Sequence, residues 1–137
     1  MYPPELTAPM AQQLNDYGFE SLTTPERVTE VLENSEGTVL LVINSVCGCA
    51  AANARPGAII SLQYHKKPAK LATVFAGVDR EATEKAREFL LPYPPSSPSI
   101  ALFKDGKLVH FLERHHIEGR PAEMIAENLQ MAYERFC

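Results

Sequence analysis

Two of the chain's three cysteines, Cys47 and Cys49, flank a single glycine, Gly48. Residues two apart point to different faces of a helix, and in a strand they share a face but lie roughly 6.6 Å apart, so a bridge between them needs a turn. Gly48 can supply it, because a residue without a Cβ tolerates backbone angles that others avoid. A disulfide in so small a ring is strained, and strained, exposed disulfides are the readily reduced, catalytic kind rather than permanent staples. The pair follows the apolar run Val39–Ile43 and precedes a stretch that can be helical. A helix starting at Cys47 offers free backbone N–H groups and its dipole to a thiolate there, which lowers the pKa and makes Cys47 the natural nucleophile.

The 137 residues, 45% of them hydrophobic, suffice for one domain with a real core and are too few for two ordinary ones. We assign a single domain over 1–137, with helices in 1–34 and the main α/β unit in 38–137. A formal charge of −4 gives none of the broad basic surface on which nucleic-acid or anionic-membrane binding relies. Met1-Tyr2-Pro3-Pro4-Glu5 has neither the positive start nor the apolar stretch of a signal peptide, and no apolar run approaches the ~20 residues of a membrane span. The expectation is a cytoplasmic protein with no nucleic-acid or membrane partner. In a reducing compartment, close cysteine pairs are catalytic or metal-binding more often than structural.

The elements that must position the pair are legible in patterning. Leu6, Met10, Leu14 and Tyr17 recur at helical spacing before Gly18, predicting a helix over Glu5–Tyr17. A second helix runs from Thr24 to Asn34, with Thr24 as N-cap, Pro25 at the first helical position and Val28, Val31 and Leu32 on one face. Thr38–Asn44 is apolar and rich in β-branched residues, as expected of a central strand covered on both faces. Cys49 to about Tyr64 favours helix, with a kink near Arg55-Pro56-Gly57 where proline removes a donor. Lys70–Gly77 reads as a strand. A helix capped by Asp79 follows, with Ala82, Ala86, Phe89 and Leu90 inward. After the proline-rich segment 92–98, Asp105-Gly106 between the apolar runs 100–103 and 108–111 signals a hairpin. A last helix begins near Pro121 and carries Ile125, Leu129, Ala132 and Phe136 on one stripe.

This order resembles a thioredoxin-like fold of the α/β class: a central mixed sheet flanked by helices, here with an N-terminal helical extension. The resemblance implies that the cysteines face a loop whose proline follows a cis peptide bond, and Ser97-Pro98-Ser99 stands in the right place for that loop. More specifically, the chain resembles the bacilliredoxins, thioredoxin-like proteins with a Cys-Gly-Cys site. The stretches that carry the likeness are Asn44–Ala51, Ala54-Arg55-Pro56, Val74–Gly77, Glu81-Ala82-Thr83, Ser96–Ser99 and Ile117-Glu118-Gly119. The resemblance implies a thiol-disulfide oxidoreductase that removes bacillithiol, a low-molecular-weight thiol, from mixed disulfides on client proteins. Cys47 attacks the mixed disulfide and Cys49 resolves it; Gly48, Ser97 and Pro98 contact the substrate. No cofactor is implied beyond bacillithiol as thiol co-substrate. Two positions depart from the family pattern, Ala52 where glycine is expected and Val78 where glutamine is expected.

The remaining candidates have plainer readings. Cys137 reads as a spectator thiol, and His115-His116 as surface residues in a loop after a strand. Arg55, about two helical turns past Cys47, reads as a solvated arginine or a surface contact for an anionic substrate. Two rival functions stay open. One is a general protein disulfide isomerase or reductase. The other is a module holding Cu(I) or Zn²⁺ on the pair, for which His110, His115, His116 and Cys137 have no recognisable ligand spacing. The expectation is no metal.

Overall fold

A computed structural model describes residues 2–137. A five-stranded sheet in the order β1-β3-β2-β4-β5 forms its centre. Strands β1 (Glu20–Ser21), β3 (Lys70–Phe75) and β2 (Thr38–Asn44) are parallel, while β4 (Ser99–Lys104) and β5 (Lys107–Leu112) are antiparallel to their neighbours. Every residue of β2 is buried, which is why its seven positions carry no polar alternation. Its two faces feed two cores. Leu40 and Val42 point to the side covered by α1 (Pro4–Asn15), α3 (Arg55–Ser61), the short α5 (Arg114–Ile117) and α6 (Ala122–Phe136). Val39, Leu41 and Ile43 point to the side covered by α2 (Pro25–Leu32) and α4 (Arg80–Glu88).

Local chemistry explains most boundaries. Thr24 accepts a hydrogen bond from the Arg27 amide at 3.2 Å, capping α2 as its residue type predicts. Asp105 and Gly106 both take positive φ, 49° and 81°, so the right-handed twist of β4 and β5 closes on a two-residue turn. Asp79 precedes α4 but contributes its backbone carbonyl, which accepts from the Thr83 amide and hydroxyl, and its side chain makes no cap bond. Burial instead pushes the Asp79 carboxyl upward.

Three expectations need correction here. In α1 only Leu14 of the anticipated stripe is buried; Leu6 and Tyr17 are 43% and 56% exposed, and Thr7 packs inward instead. The N-terminal segment is not wholly helical, because Glu20 and Ser21 pair with Ala72 and Thr73 as the edge strand β1. A strand of two residues has no period to read. Finally, the helix after the cysteines is not simply kinked at proline. From Gly48 it passes into a π-turn over Ala50–Ala54, where the Arg55 amide donates to the Ala50 carbonyl, and continues as α3 with Pro56 near its start. Proline has no amide hydrogen to donate back into that turn, and the irregular π-turn just before it is where the regular ladder is already interrupted.

Helices α3 and α6 come into tight contact at Gly57. A Cβ there would stand 2.7 Å from Ile125 Cγ2 and 2.8 Å from Ile125 Cβ. Because Ile125 Cβ is fixed to its backbone, no rotamer relieves the contact. Gly57→Ala should therefore destabilise: overpacking costs about 1–3 kcal/mol against the roughly 1 kcal/mol that alanine gains over glycine within a helix. Thermal unfolding should show a midpoint lowered by a few degrees, and an unchanged or raised midpoint would show that α3 and α6 can part freely.

Candidate redox site

Sheet topology gathers the site at one end. Strand β2 ends at Asn44, Ser99 of β4 lies opposite Ile43, and Leu112 of β5 lies opposite Ile100. The loop after β2, the 92–98 segment before β4 and α5 after β5 thus converge on that end. Cys47 occupies the capping position of the helix, whose first helical residue is Gly48, and its carbonyl accepts from the Ala50 and Ala51 amides. Both cysteines are half-buried. The Cys49 amide points to the Cys47 sulfur at 3.4 Å, and the Cys47 amide donates to Ser45 Oγ at 3.0 Å.

The two thiols are driven apart in acidity. Hydrogen bonding from the Cys49 thiol pulls Cys47 below the usual thiol range, aided by the Cys49 and Ala50 amides and by the positive charge of Arg114, and these outweigh a modest desolvation. Cys49 moves the other way, first because burial disfavours its thiolate and then because it is the donor beside a charged neighbour. The arrangement therefore favours ionisation at Cys47 over Cys49.

Gly48 has a different role from the one its type suggests. Its backbone is helical and not left-handed, and a Cβ there would meet nothing within 4 Å. What it contributes is open space between the sulfurs and the solvent. Ser97-Pro98 is a cis peptide, with Pro98 buried and Ser97 half-buried. The Ser97 carbonyl accepts from Arg114 Nη1 at 3.2 Å, and Ser96 Oγ accepts from the Arg114 amide at 3.4 Å. Arg114, which sequence reading passed over, thus ties the proline loop to α5 while its charge acts on both sulfurs. Its position within a charged cluster 65 residues past Cys49 gave no local signal.

Arg55 is the clearest reversal. It is 3% exposed rather than solvated, and lies beneath the loop that carries the pair. His115 and His116 lie on and within α5, not in a loop, and His116 Nδ1 accepts from the Glu113 amide at 3.0 Å as part of a capping box. Burial lowers the His116 pKa. Single ligand atoms of Glu113, His115 and His116 fall within 4.8 Å of one another, a group that includes neither cysteine of the pair. His110 is engaged with Asn128 Oδ1 at 2.6 Å. Cys137 Sγ sits 3.7 Å from Thr38 Oγ1, at the start of β2, about 20 Å from the end that carries the pair.

Comparison with known proteins agrees with this geometry. A reduced thioredoxin pre-protein of Schistosoma mansoni superposes with a TM-score of 0.60 at 16% identity, covering 87% of this chain and 98% of that one. Thioredoxin O2 of Arabidopsis thaliana, in its oxidised state, gives 0.57 at 14% identity, covering 86% and 96%. These likenesses establish a thioredoxin fold. A family profile described as disulphide isomerase matches residues 2–137. A bacilliredoxin of Cytophaga hutchinsonii is 63% identical over 134 residues, 98% of each chain, and one from Halalkalibacterium halodurans is 53% identical over 136 residues, 99% of this chain and 94% of that one. Fold and relatives together define a thiol-disulfide oxidoreductase. The chain belongs to the bacilliredoxin family. Among the described residues no helix is long and apolar enough to cross a membrane.

Proposed function

We propose that this enzyme removes bacillithiol from mixed disulfides on client proteins, with Cys47 as nucleophile and Cys49 as resolving thiol. The observation that carries the reading is the opposed acidity of two half-exposed thiols, the Cys47 pKa lowered and the Cys49 pKa raised, beside an open Gly48. The Cys47 thiolate attacks the bacillithiol sulfur of the adduct. A disulfide forms between Cys47 and bacillithiol, the bond to the client breaks, and the client cysteine leaves as a thiolate that takes up a proton. Once Cys47 is in a disulfide its charge is gone, so one of the causes that kept Cys49 protonated disappears. Cys49 can then ionise and attack Cys47, releasing bacillithiol as a thiolate. Alternatively a second bacillithiol attacks the adduct, yielding bacillithiol disulfide and reduced Cys47. In the first route a dithiol or thiol reductant supplies the two electrons that reopen the Cys47–Cys49 bond.

Gly48, Ser97 and Pro98 would contact the substrate, and Arg114 would present a positive charge to it. Clients, the low-molecular-weight thiol and a cytoplasmic setting belong to this proposal. A second reading, general disulfide isomerase or reductase, is favoured by the description of the matching family. The deciding experiment incubates the reduced enzyme with a client bearing one bacillithiol and, in parallel, with a scrambled-disulfide protein, following both by intact mass. Loss of bacillithiol from the client, faster than loss of glutathione from the same cysteine, supports the first reading. Rearranged disulfides with an untouched mixed disulfide would replace it with the second.

A further inference from the structure

We propose that Arg55 is a positioning residue for the loop carrying Cys47: by gripping Asn44 and the Ser45 peptide from beneath, it sets the backbone that turns the Cys49 amide onto the Cys47 sulfur. The inference rests on reading Cys47 as the reactive thiol. Arg55 Nη1 donates to Asn44 Oδ1 at 2.9 Å and to the Ser45 carbonyl at 3.0 Å, and Nε donates to Gln13 Oε1 at 2.8 Å. Asn44 Oδ1 also accepts from the Ser45 amide at 2.9 Å, and Ser45 Oγ accepts from the Cys47 amide at 3.0 Å. The bonds therefore run without a gap from α1 through the guanidinium to the nucleophile's own backbone. The Cys47 amide is committed to Ser45, and the Cys49 amide, two residues on, faces the sulfur.

Two features argue against a mere structural tie. The guanidinium is buried, its acceptors are an amide oxygen, a second amide oxygen and a peptide carbonyl, and none is a carboxylate. Burying a cation among neutral acceptors is costly, and an apolar side chain would join α1 to α3 at lower cost. What only the guanidinium supplies is a planar fork of charge-assisted donors that holds two acceptors on the loop and one on α1 at once. The second feature is the π-turn. Its extra residue gives Arg55 the direction that a regular helix would give the seventh residue after Cys47, within about 20° of the Cys47 face. Helical side chains lean toward the N-terminus, so Arg55 reaches back under the pair. Removing the insertion would swing it by about 100°.

The test measures the pH dependence of iodoacetamide alkylation at Cys47, read by peptide mass, in reduced wild type, Arg55→Met, Arg55→Lys and Gln13→Ala, each first checked for folding by circular dichroism. The charged and titratable groups acting on Cys47 are Cys49 and Arg114, and no substitution touches either. Arg55→Met should raise the midpoint by about one pH unit and slow alkylation at pH 7 about three- to tenfold. Arg55→Lys cannot span all three acceptors and should fall between it and wild type. Gln13→Ala removes the anchor on α1 but neither bond to Asn44 and Ser45, and should raise the midpoint less than Arg55→Met does. A wild-type midpoint in folded Arg55→Met would overturn the proposal; should that variant not fold, a wild-type midpoint in Arg55→Lys would do so. Because the readout needs no client, the outcome is independent of whether bacillithiol is the substrate.

Discussion

Cys47→Ser is expected to bring client transfer down to the spontaneous rate, a loss of at least about 10³-fold. The substitution changes little in packing, since the side chain is half-buried and opens toward solvent. Its effect is chemical. A serine hydroxyl stays un-ionised at neutral pH where the Cys47 thiol is pulled toward the thiolate, so the attacking electron pair is no longer available. Cys49 does not substitute for it, because burial, the leading cause of its raised pKa, persists after Cys47 has gone. Intact-mass kinetics on an adducted client check this directly. Transfer by Cys47→Ser at the wild-type rate would move the nucleophile to Cys49.

Cys49→Ala should have two separable consequences. The first is a trap: with no neighbour to resolve it and no free thiol added, the enzyme should accumulate one bacillithiol on Cys47 and stop after a single transfer. The second concerns acidity. The Cys49 thiol is the foremost cause of the low Cys47 pKa, so its removal raises that pKa and moves the pH profile of the first step upward. Below the pKa the thiolate fraction falls about tenfold per pH unit, while a more basic thiolate is intrinsically more nucleophilic, with a Brønsted slope near 0.4–0.5. If the midpoint rises by about one pH unit, the net loss of rate at pH 7 should thus be only about threefold. Single-turnover rates against pH give both quantities. Continued turnover without an accumulated adduct would remove Cys49 from the resolving role, and an unmoved profile would assign the low pKa to the backbone amides and Arg114.

Apart from β1 and α5, the order of elements needed no structure. Helical and alternating patterns identified α2, α4 and α6, the uniformly apolar β2 identified the centre of the sheet, and Asp105-Gly106 identified the hairpin, because each rests on residues within a few positions of one another. The cis peptide expected in the proline loop lies at Ser97-Pro98, with a second at Leu91-Pro92. The misread residues are those whose environment comes from afar. Arg55 looks like a solvated arginine until Gln13, 42 positions earlier, and the loop after β2 close over it. Arg114 is one charge in a polar run until β5 delivers it to the Ser97 carbonyl, 17 positions away. Gly48 suggested a turn with backbone angles that other residues avoid, yet its conformation is that of the helix that starts there. The sequence alone therefore determined which thiols lie close together and most of the elements around them, since those are matters of spacing and period. Which thiol is the more acidic, and what surrounds it, was decided by the tertiary structure, because burial and the convergence of three chain segments on one end of the sheet exist only once the chain is folded.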